Sequence, residues 1–285
     1  AYYDDIEQVK WDELPDQFLG KFREAVKGVD PEALIIGEVW EDASNKIAYG
    51  KRRNYFYGQQ LDSVMNYPFK DAIIQFIRYQ DAKYLHNVVT TIVNNYPSQV
   101  VHCLMNMLGT HDTRRILTAL GGKELHHASK DVKARTHMTE EEREYGMELL
   151  KLAVLLQMTL PGVPCIYYGD EAGMEGYEDP FNRRCYPWGR EESHLLHWYR
   201  KLGKIRKKWS VFKEGSYETI HCDDSVFIFQ RRNETEKIVV GINRSDKPFR
   251  LEVENKYENL LHREPVRNKF IIEPNGACVL VHKIK

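Results

Sequence analysis

The fold is decided by one short apolar stretch of the sequence, Ala33-Leu34-Ile35-Ile36-Gly37-Glu38-Val39-Trp40-Glu41. Its apolar residues do not alternate with polar ones, which predicts a strand buried on both faces, as in a parallel sheet. A Glu at the carboxyl end of such a strand lies where α/β barrels and open α/β sheets place their chemistry. Glu38 is therefore a candidate catalytic residue. The alternative is that it ends the strand and forms a salt bridge with a loop.

Three more apolar runs with the same character follow along the chain, at residues 61–66, 101–108 and 163–168. Each predicted strand leads towards a predicted helix, and such strand-then-helix units form parallel sheets with right-handed crossovers. Helices are predicted at about residues 12–27, 69–77, 82–94, 113–120, 139–160 and 192–208, with long loops at 123–138 and 177–190. The class is α/β, and four units are half of the eight that close a barrel of about 250 residues.

The pattern changes from Ser210 onward to a period of two residues, with turn sequences such as Pro274-Asn275-Gly276. Strands are predicted at residues 217–221, 225–231, 237–243, 249–253, 258–261, 269–272 and 277–282. They predict a small all-β sandwich domain over residues 209–285, after a catalytic domain over residues 1–208. The basic helix at 192–208 closes the first domain, and its charge run at 201–208 is interpreted as a solvated face.

Composition excludes several classes of partner. Lys and Arg number 41 against 42 Asp and Glu, so the net charge of −1 gives no reason to expect nucleic acid or an anionic membrane. No apolar run approaches the ~20 residues of a membrane helix. Five scattered cysteines without a CxxC pair indicate reduced thiols rather than disulfides or a zinc site, so no metal or cofactor is predicted. A cytoplasmic protein is expected; export stays an alternative, because the first residue need not be the natural start.

The ends of the predicted strands carry a set of polar residues. Glu38, Asn66, His111-Asp112 and Gly169-Asp170-Glu171 meet at one rim if the four strands are parallel neighbours. Cleavage of a glycosidic bond needs one carboxylic acid to protonate the leaving oxygen, and carboxylates to stabilise the oxocarbenium-like centre. A Glu and an Asp from separate strands of one rim meet part of that requirement.

Four segments, in order, resemble successive motifs of the alpha-amylase family (glycoside hydrolase family 13), most closely its neopullulanase and cyclomaltodextrinase type. They are Ile35-Ile36-Gly37-Glu38-Val39-Trp40, Leu61-Asp62-Ser63-Val64-Met65-Asn66-Tyr67, Leu108-Gly109-Thr110-His111-Asp112-Thr113 and Gly162-Val163-Pro164-Cys165-Ile166-Tyr167-Tyr168-Gly169-Asp170-Glu171. The resemblance extends from about Asp12 to the C-terminus. It implies a partial (β/α)8 (TIM) barrel, the second half only, followed by the β domain.

The resemblance also implies roles for individual residues. Glu38 matches the general acid/base, which protonates the glycosidic oxygen and later activates water. Asp112 matches the carboxylate that grips sugar hydroxyls and supports the transition state, and His111 the imidazole beside it. Trp40 resembles a wall of the acceptor side, where an indole can stack on a sugar ring. The alternatives are a helix-capping core histidine for His111 and plain packing for Trp40.

Three more residues resemble substrate-binding residues of outer subsites: Arg115, Asp179 and Arg183. For Asp179 and Arg183 a salt bridge within the loop is the competing interpretation, since charged loop residues often pair with one another. The substrates that the resemblance implies are α-glucans such as maltodextrin, cyclodextrin, pullulan or starch.

The chain departs from the family at the catalytic nucleophile. That nucleophile is an Asp on the strand before the first predicted helix, and aligning Asp12-Glu13-Leu14-Pro15 puts Val9 at its position and Glu7 at that of a supporting arginine. Asp4 and Asp5 are nearby but out of register. We therefore expect this chain alone to hydrolyse glucans poorly or not at all, and the alternative function is a non-catalytic carbohydrate-binding or structural remnant. The open edges of a half barrel predict pairing with the missing half or with a second copy.

Overall fold

The computed structural model describes residues 8–48 and 50–284, without the side chains of 8–15, 48 and 255. Asp4, Asp5 and Glu7 lie outside the described residues. Val9 and Asp12 lie within the first helix, so the backbone at the aligned nucleophile position is helical. The helices are α1 Gln8–Val29, α2 Tyr67–Tyr79, α3 Ala82–Asn95, α4 Ser98–His102, α5 Ile116–Gly121, α6 Lys130–Arg135, α7 Glu140–Thr159, α8 Ser193–Lys208 and α9 Val211–Glu214.

The strands of the first part are short. They are β1 Ile36–Gly37, β2 Ile47–Ala48, β3 Lys51–Arg52, β4 Ser63–Val64, β5 Met105–Asn106 and β6 Val163–Pro164. β1 pairs with β4 and β5 with β6, both in parallel, and a parallel bridge between Met65 and Met105 joins the two pairs. The four predicted strands therefore lie side by side, parallel and in chain order, as the predicted half barrel requires. β2 and β3 form a separate antiparallel pair.

A close approach between β1 and the chain before β4 explains the glycine within the deciding stretch. A Cβ atom added at Gly37 would lie 2.4 Å from Cδ1 of Leu61, well inside van der Waals contact. Gly37 thus allows the parallel strand to pack directly against the neighbouring apolar run.

Helix α7 lies at the centre of the core. A capping box starts it, because the Thr139 side chain accepts from the Glu142 backbone N–H and the Glu142 side chain accepts from that of Thr139. Residues 152–159 are all buried, so this half of the helix has no solvated face. Helices α2, α5 and α8 pack against it.

Two local predictions are wrong. The predicted strand at 101–108 begins as helix α4, and only β5 pairs in the sheet. The predicted loop at 123–138 contains helix α6, which Ser129 caps by accepting from the Val132 N–H. No residue of α6 is buried, so this helix has no apolar stripe by which the sequence could reveal it.

The C-terminal part is one antiparallel sheet of β7 Ser216–Cys222, β8 Val226–Arg232, β9 Glu236–Asn243, β10 Phe249–Asn259, β11 Glu264–Ile272 and β12 Gly276–Lys283, in the order β11-β10-β12-β9-β8-β7. The runs predicted at 249–253 and 258–261 merge into β10, with an irregularity between Val253 and Tyr257. β10 meets β12 only through Glu258 and Asn259, so the sheet folds over itself at this point. The predicted sandwich layers are thus two halves of one curled sheet.

Each face of this sheet has its own apolar core. Phe227 and Phe229 on β8 belong to the main core, together with Leu155 of α7. Ile228, on the opposite face, packs in a second cluster with Leu251 of β10 and the rest of the folded half. The division of the chain at residue 208 stays a prediction.

A buried arginine also joins the sheet to the helices. Arg231 on β8 donates from Nη1 to the carbonyl oxygen of Thr159 at 3.0 Å and from Nη2 to that of Gly215 at 2.9 Å. Thr159 is the last residue of α7, where carbonyl groups lack helical partners, so the guanidinium satisfies one of them. No helix in the described part of the chain is long and apolar enough to cross a membrane.

Candidate active site

A tyrosine links the two predicted catalytic carboxylates. Tyr67, the first residue of α2, donates its hydroxyl to Oε1 of Glu38 at 3.0 Å. Burial, with smaller contributions from the Glu38 carboxylate and the charge of Asp112, raises the pKa of Tyr67 to about 12, although a hydrogen bond with Thr110 opposes the shift. Glu38 and Asp112 therefore both act on one hydroxyl group. We call the surface around this hydroxyl, between the ends of β1 and β5, the hollow; that Glu38 and Asp112 form one catalytic site there stays a prediction.

Trp40 forms one side of this hollow. Its indole stacks on the ring of Tyr67, with 3.9 Å between the ring centroids and 15° between the planes, while 48% of the residue stays exposed. One face of the Trp40 ring thus packs against Tyr67, as the alternative interpretation has it, and the rest of the ring is open to solvent. The predicted stacking on a sugar stays a prediction that this geometry allows.

His111 and Asp112 form an exposed pair on the loop after β5. Nε2 of His111 lies 3.1 Å from Oδ2 of Asp112, and both side chains are exposed. The backbone N–H of Asp112 donates to Oγ1 of Thr110, which tightens the turn. The alternative of a helix-capping core histidine is wrong, because His111 is at the surface and α5 begins only at Ile116.

Asp179 and Arg183 form the salt bridge that was the competing interpretation, with Nε of Arg183 2.6 Å from Oδ1 of Asp179. The arginine also donates to the backbone carbonyl of His111 at 3.1 Å, and its Nη2 lies 3.5 Å from Oδ1 of Asp112. The loop at 177–190 is thereby attached to the hollow. Contact of these two residues with sugar stays a prediction.

The structure corrects the predicted sugar contact of Arg115. Its side chain is fully buried, with Nη1 3.1 Å from Oδ1 of Asp170 and Nε donating to the carbonyl of Asn182 at 2.7 Å. The guanidinium carbon lies 4.4 Å and 4.6 Å from the ring centroids of Tyr167 and Tyr168. Arg115 therefore acts inside the protein, where it holds the loop at 177–190 to the end of β6.

Asp170 also turns inward, away from the rim where the strand order predicted it. Burial raises its pKa to about 7, although the charge of Arg115 and the hydrogen bond to it oppose that shift. Space for the carboxyl group comes from Gly109, where an added Cβ would lie 2.6 Å from Oδ2 of Asp170. Glu171 accepts a hydrogen bond from the backbone N–H of Gly169 at 2.9 Å. Neither carboxylate is paired with the exposed Asp112.

Two residues of the site were missed from the sequence. Tyr67 lies in one of the four motifs, but no role is predicted for it from the sequence. Asn182 is buried and donates from Nδ2 to the carbonyl groups of His111 at 2.8 Å and Thr113 at 2.7 Å, which fixes the backbone on both sides of Asp112. An Asn among loop residues carries no local signal for such a role.

The surface beside the hollow is concave on two sides. A cavity of about 520 Å³ is lined by Asp112, Lys70 and Glu178, and another of about 380 Å³ by Trp40 and Tyr84. Asp71 lines both, so the concave surface runs from the tryptophan to the far carboxylate. Among the residues with described side chains, no group of three or more His, Cys, Asp or Glu is arranged to hold a metal ion.

Comparisons with known proteins agree with the fold. The family model for the alpha-amylase catalytic domain matches residues 7–193, and the chain belongs to the alpha-amylase family. It is 36% identical over 277 residues to a cyclomaltodextrinase of Thermoanaerobacter pseudethanolicus, covering 94% of this chain and 43% of that protein. It is 34% identical over 237 residues to neopullulanase 2 of Thermoactinomyces vulgaris, covering 81% of this chain and 35% of the relative.

A solved alpha-amylase from Anoxybacillus superposes with a TM-score of 0.75 at 27% identity, covering 95% of this chain and 57% of the amylase. The chain thus spans less than half the length of these two sequence relatives, and somewhat more than half of the amylase structure.

Proposed function

We propose that this chain is the part of an α-glucan glycoside hydrolase that supplies the general acid/base and a transition-state carboxylate. The observation that carries the proposal is the Tyr67 hydroxyl, which hydrogen-bonds Glu38 and lies within the electrostatic reach of Asp112. Relatives named cyclomaltodextrinase, neopullulanase and amylopullulanase support an α-glucan as the substrate.

We propose the following roles for the residues around the hollow, as the resemblance to the family implies. Glu38, exposed and oriented by Tyr67, protonates the glycosidic oxygen and then takes a proton from the attacking water. Asp112 and His111 accept from and donate to sugar hydroxyls, and the carboxylate stabilises the oxocarbenium-like centre. Trp40 offers an indole surface to the adjacent ring, and Asp179 and Arg183 are proposed to meet sugars further out.

The covalent nucleophile is the missing part of this scheme. A retaining mechanism needs a second carboxylate about 5 Å from the acid/base, and the aligned position carries Val9, which has no carboxylate. Loss of that group removes several kcal/mol of transition-state stabilisation, which is orders of magnitude in rate. We therefore propose that turnover requires the half of the barrel that carries the nucleophile.

The edges of the four-stranded sheet favour pairing with the other half of a barrel. Within the described residues, β1 and β6 each pair on one side only, so the four-stranded sheet has two edges that the other half of a barrel, or a second copy, can extend. Light scattering on the purified chain, alone and after co-expression with an N-terminal barrel half from a relative, measures which of these assemblies forms.

The test of the function uses that co-expressed complex. We expect release of maltose or glucose from maltoheptaose or β-cyclodextrin, lost in Glu38→Gln and retained in Glu41→Gln, a nearby exposed carboxylate that pairs with Lys46. Unchanged release in Glu38→Gln would sink the acid/base assignment.

A carbohydrate-binding remnant is the second candidate function, and Val9 at the nucleophile position is the observation that favours it. Titration of the chain with maltoheptaose, followed by tryptophan fluorescence, separates the two. Saturable binding without turnover in the complex supports the remnant, whereas turnover in the complex supports the enzyme.

A further inference from the structure

A second concave surface lies far along the chain from the residues of the hollow. A groove of about 750 Å³ runs between helix α8 and the turn that follows β10. Arg200, Lys201, Lys204 and Lys208 line it from the helix, Arg263 lines it from the turn, and Trp209 forms its base. None of these residues contributes to the hollow around Tyr67.

The helical positions are spaced so that the cations share one face. Residues 200, 201, 204 and 208 follow one another at intervals of one, three and four, which places their side chains on one side of α8. Arg206, on another side, donates to the carbonyl of Met158 at 2.7 Å. The charge run at 201–208, interpreted from sequence as a solvated face, therefore separates into a structural arginine and a row that lines a groove.

The cations of the groove lack acidic partners. Among residues with described side chains, no carboxylate lies within ion-pair distance of Arg200, Lys201, Lys204, Lys208 or Arg263, although Glu258 lines the same groove. Burial lowers the pKa of Lys201, and the positive charge of Arg263 lowers it further. Five like charges around one concavity repel each other, and an anion bound among them would remove that repulsion.

Two contacts hold this arrangement in place. Lys201 donates to the carbonyl of Leu261, which ties the helix to the turn. Trp209 is buried, and the ammonium groups of Lys208 and Lys283 lie 5.0 Å and 5.9 Å from its ring centroid. Of these two lysines Lys208 lines the groove, so cation–π attraction to the indole positions one of its cations before any ligand arrives.

We propose that this groove is a binding site for a small anion with several phosphoryl groups. Lysine ammonium groups bind phosphate oxygens as point charges, and arginine binds them through its planar donors. Five cations line one concave groove, and the chain as a whole has a net charge of −1. Both facts favour a compact polyphosphate over a nucleic acid. The inference is independent of the sugar chemistry proposed for the hollow.

The test is calorimetric titration of the 285-residue chain with sodium tripolyphosphate and, separately, with ATP free of magnesium. We expect saturable binding that weakens as the salt concentration rises from about 50 to about 200 mM. Similar affinities for the two compounds indicate that the groove binds the phosphoryl chain alone; tighter binding of ATP indicates a nucleotide. Both results support the site.

Charge reversals locate the binding. Lys204→Glu and Arg263→Glu change exposed residues, and each should weaken binding about tenfold or more, since a charge-assisted contact is replaced by repulsion. Lys213→Glu reverses an exposed lysine outside the groove and should change the affinity less than about twofold. Equal losses in all three variants, no binding of either compound at millimolar concentration, or tighter binding of a single-stranded RNA than of tripolyphosphate would each overturn the proposal.

Discussion

The ends of β5 and β6 are neighbours in the sheet, yet they present their carboxylates in opposite ways. Asp112, after β5, is exposed and paired with His111, while Asp170, after β6, is fully buried against Arg115. Parallel strands bring their carboxyl ends to the same rim, but strand order alone does not decide which side chains face outward. At the end of β6, the buried Arg115–Asp170 pair supports the surface on which the exposed carboxylates lie.

Substitutions of buried and of exposed residues should therefore differ in their effects on stability and on sugar chemistry.

The largest effect is expected from Arg115→Ala. The substitution leaves Asp170 buried without its partner and removes the donor to Asn182, so unfolding free energy should fall by about 3–5 kcal/mol. Urea unfolding followed by circular dichroism measures this loss. The control is Arg114→Ala, next in the chain, whose partner Glu124 at 2.7 Å is partly exposed and whose loss should cost less than about 1 kcal/mol. Equal losses of unfolding free energy in the two variants would mean that the buried Arg115–Asp170 pair contributes no more to stability than the partly exposed pair.

The buried acid should also make stability depend on pH. Burial holds the pKa of Asp170 at about 7, above its usual value of about 3.9, so the folded state binds this proton more tightly than the unfolded state does. The stabilisation is fully present below about pH 4 and is lost as the pH rises through about 7. Asp170→Asn does not titrate, so its stability relative to the wild type should increase over that range.

Urea unfolding of both proteins at several pH values between about 4 and 8 measures this difference. The constant effect of leaving Arg115 without a carboxylate cancels in the comparison between pH values. Asp179→Asn changes an exposed carboxylate and serves as the control. A difference between wild type and Asp170→Asn that stays flat across the range contradicts the assignment.

A smaller effect is expected at the edge of the hollow. Trp40→Ala removes a stacked but half-exposed ring, and the lost aromatic contact should lower the unfolding free energy by about 1 kcal/mol. Affinity for maltoheptaose should fall much more if, as we propose, the outer surface of the ring stacks on a sugar. Trp40→Phe retains a ring that can stack, so it should recover most of the affinity; sugar binding that is the same in all three proteins argues against a role for the indole.

The smallest effect on stability is expected for Glu38→Gln. The carboxylate is exposed, and a glutamine of the same shape can still accept the Tyr67 hydroxyl, so the unfolding free energy should change by less than about 0.5 kcal/mol. Thermal unfolding of the variant alone, together with sugar release in the co-expressed complex, measures both properties. A large loss of stability would mean that Glu38 stabilises the fold rather than being free for chemistry.

Sequence reasoning found the parallel order of the strands but not their lengths. An apolar run reports burial rather than hydrogen bonding, so residues 61–66 indicate a strand, but among them the structure pairs only Ser63 and Val64 with β1 and Met65 with Met105. Helix α6 was missed for the converse reason, since a helix that buries nothing leaves no periodic pattern.

The site was predictable in its outward-facing residues and not in its supports. Glu38 directly follows β1 and His111-Asp112 lie on the loop after β5, and the motif order made them candidates. Arg114 and Arg115 are adjacent and chemically identical, and only the packing of the chain just before α5 decides that the second one points inward. Asn182 acts on carbonyl groups about seventy residues away, a contact that no local pattern encodes.

Phe227 and Phe229 on one face of β8 pack into the main core, and Arg231 reaches the end of α7. One face of the C-terminal sheet is therefore buried against the helices. Exchange of this sheet between relatives would therefore also require exchange of the apolar residues beneath it. A chain shortened after α8 would expose its own centre to water rather than become a smaller stable protein.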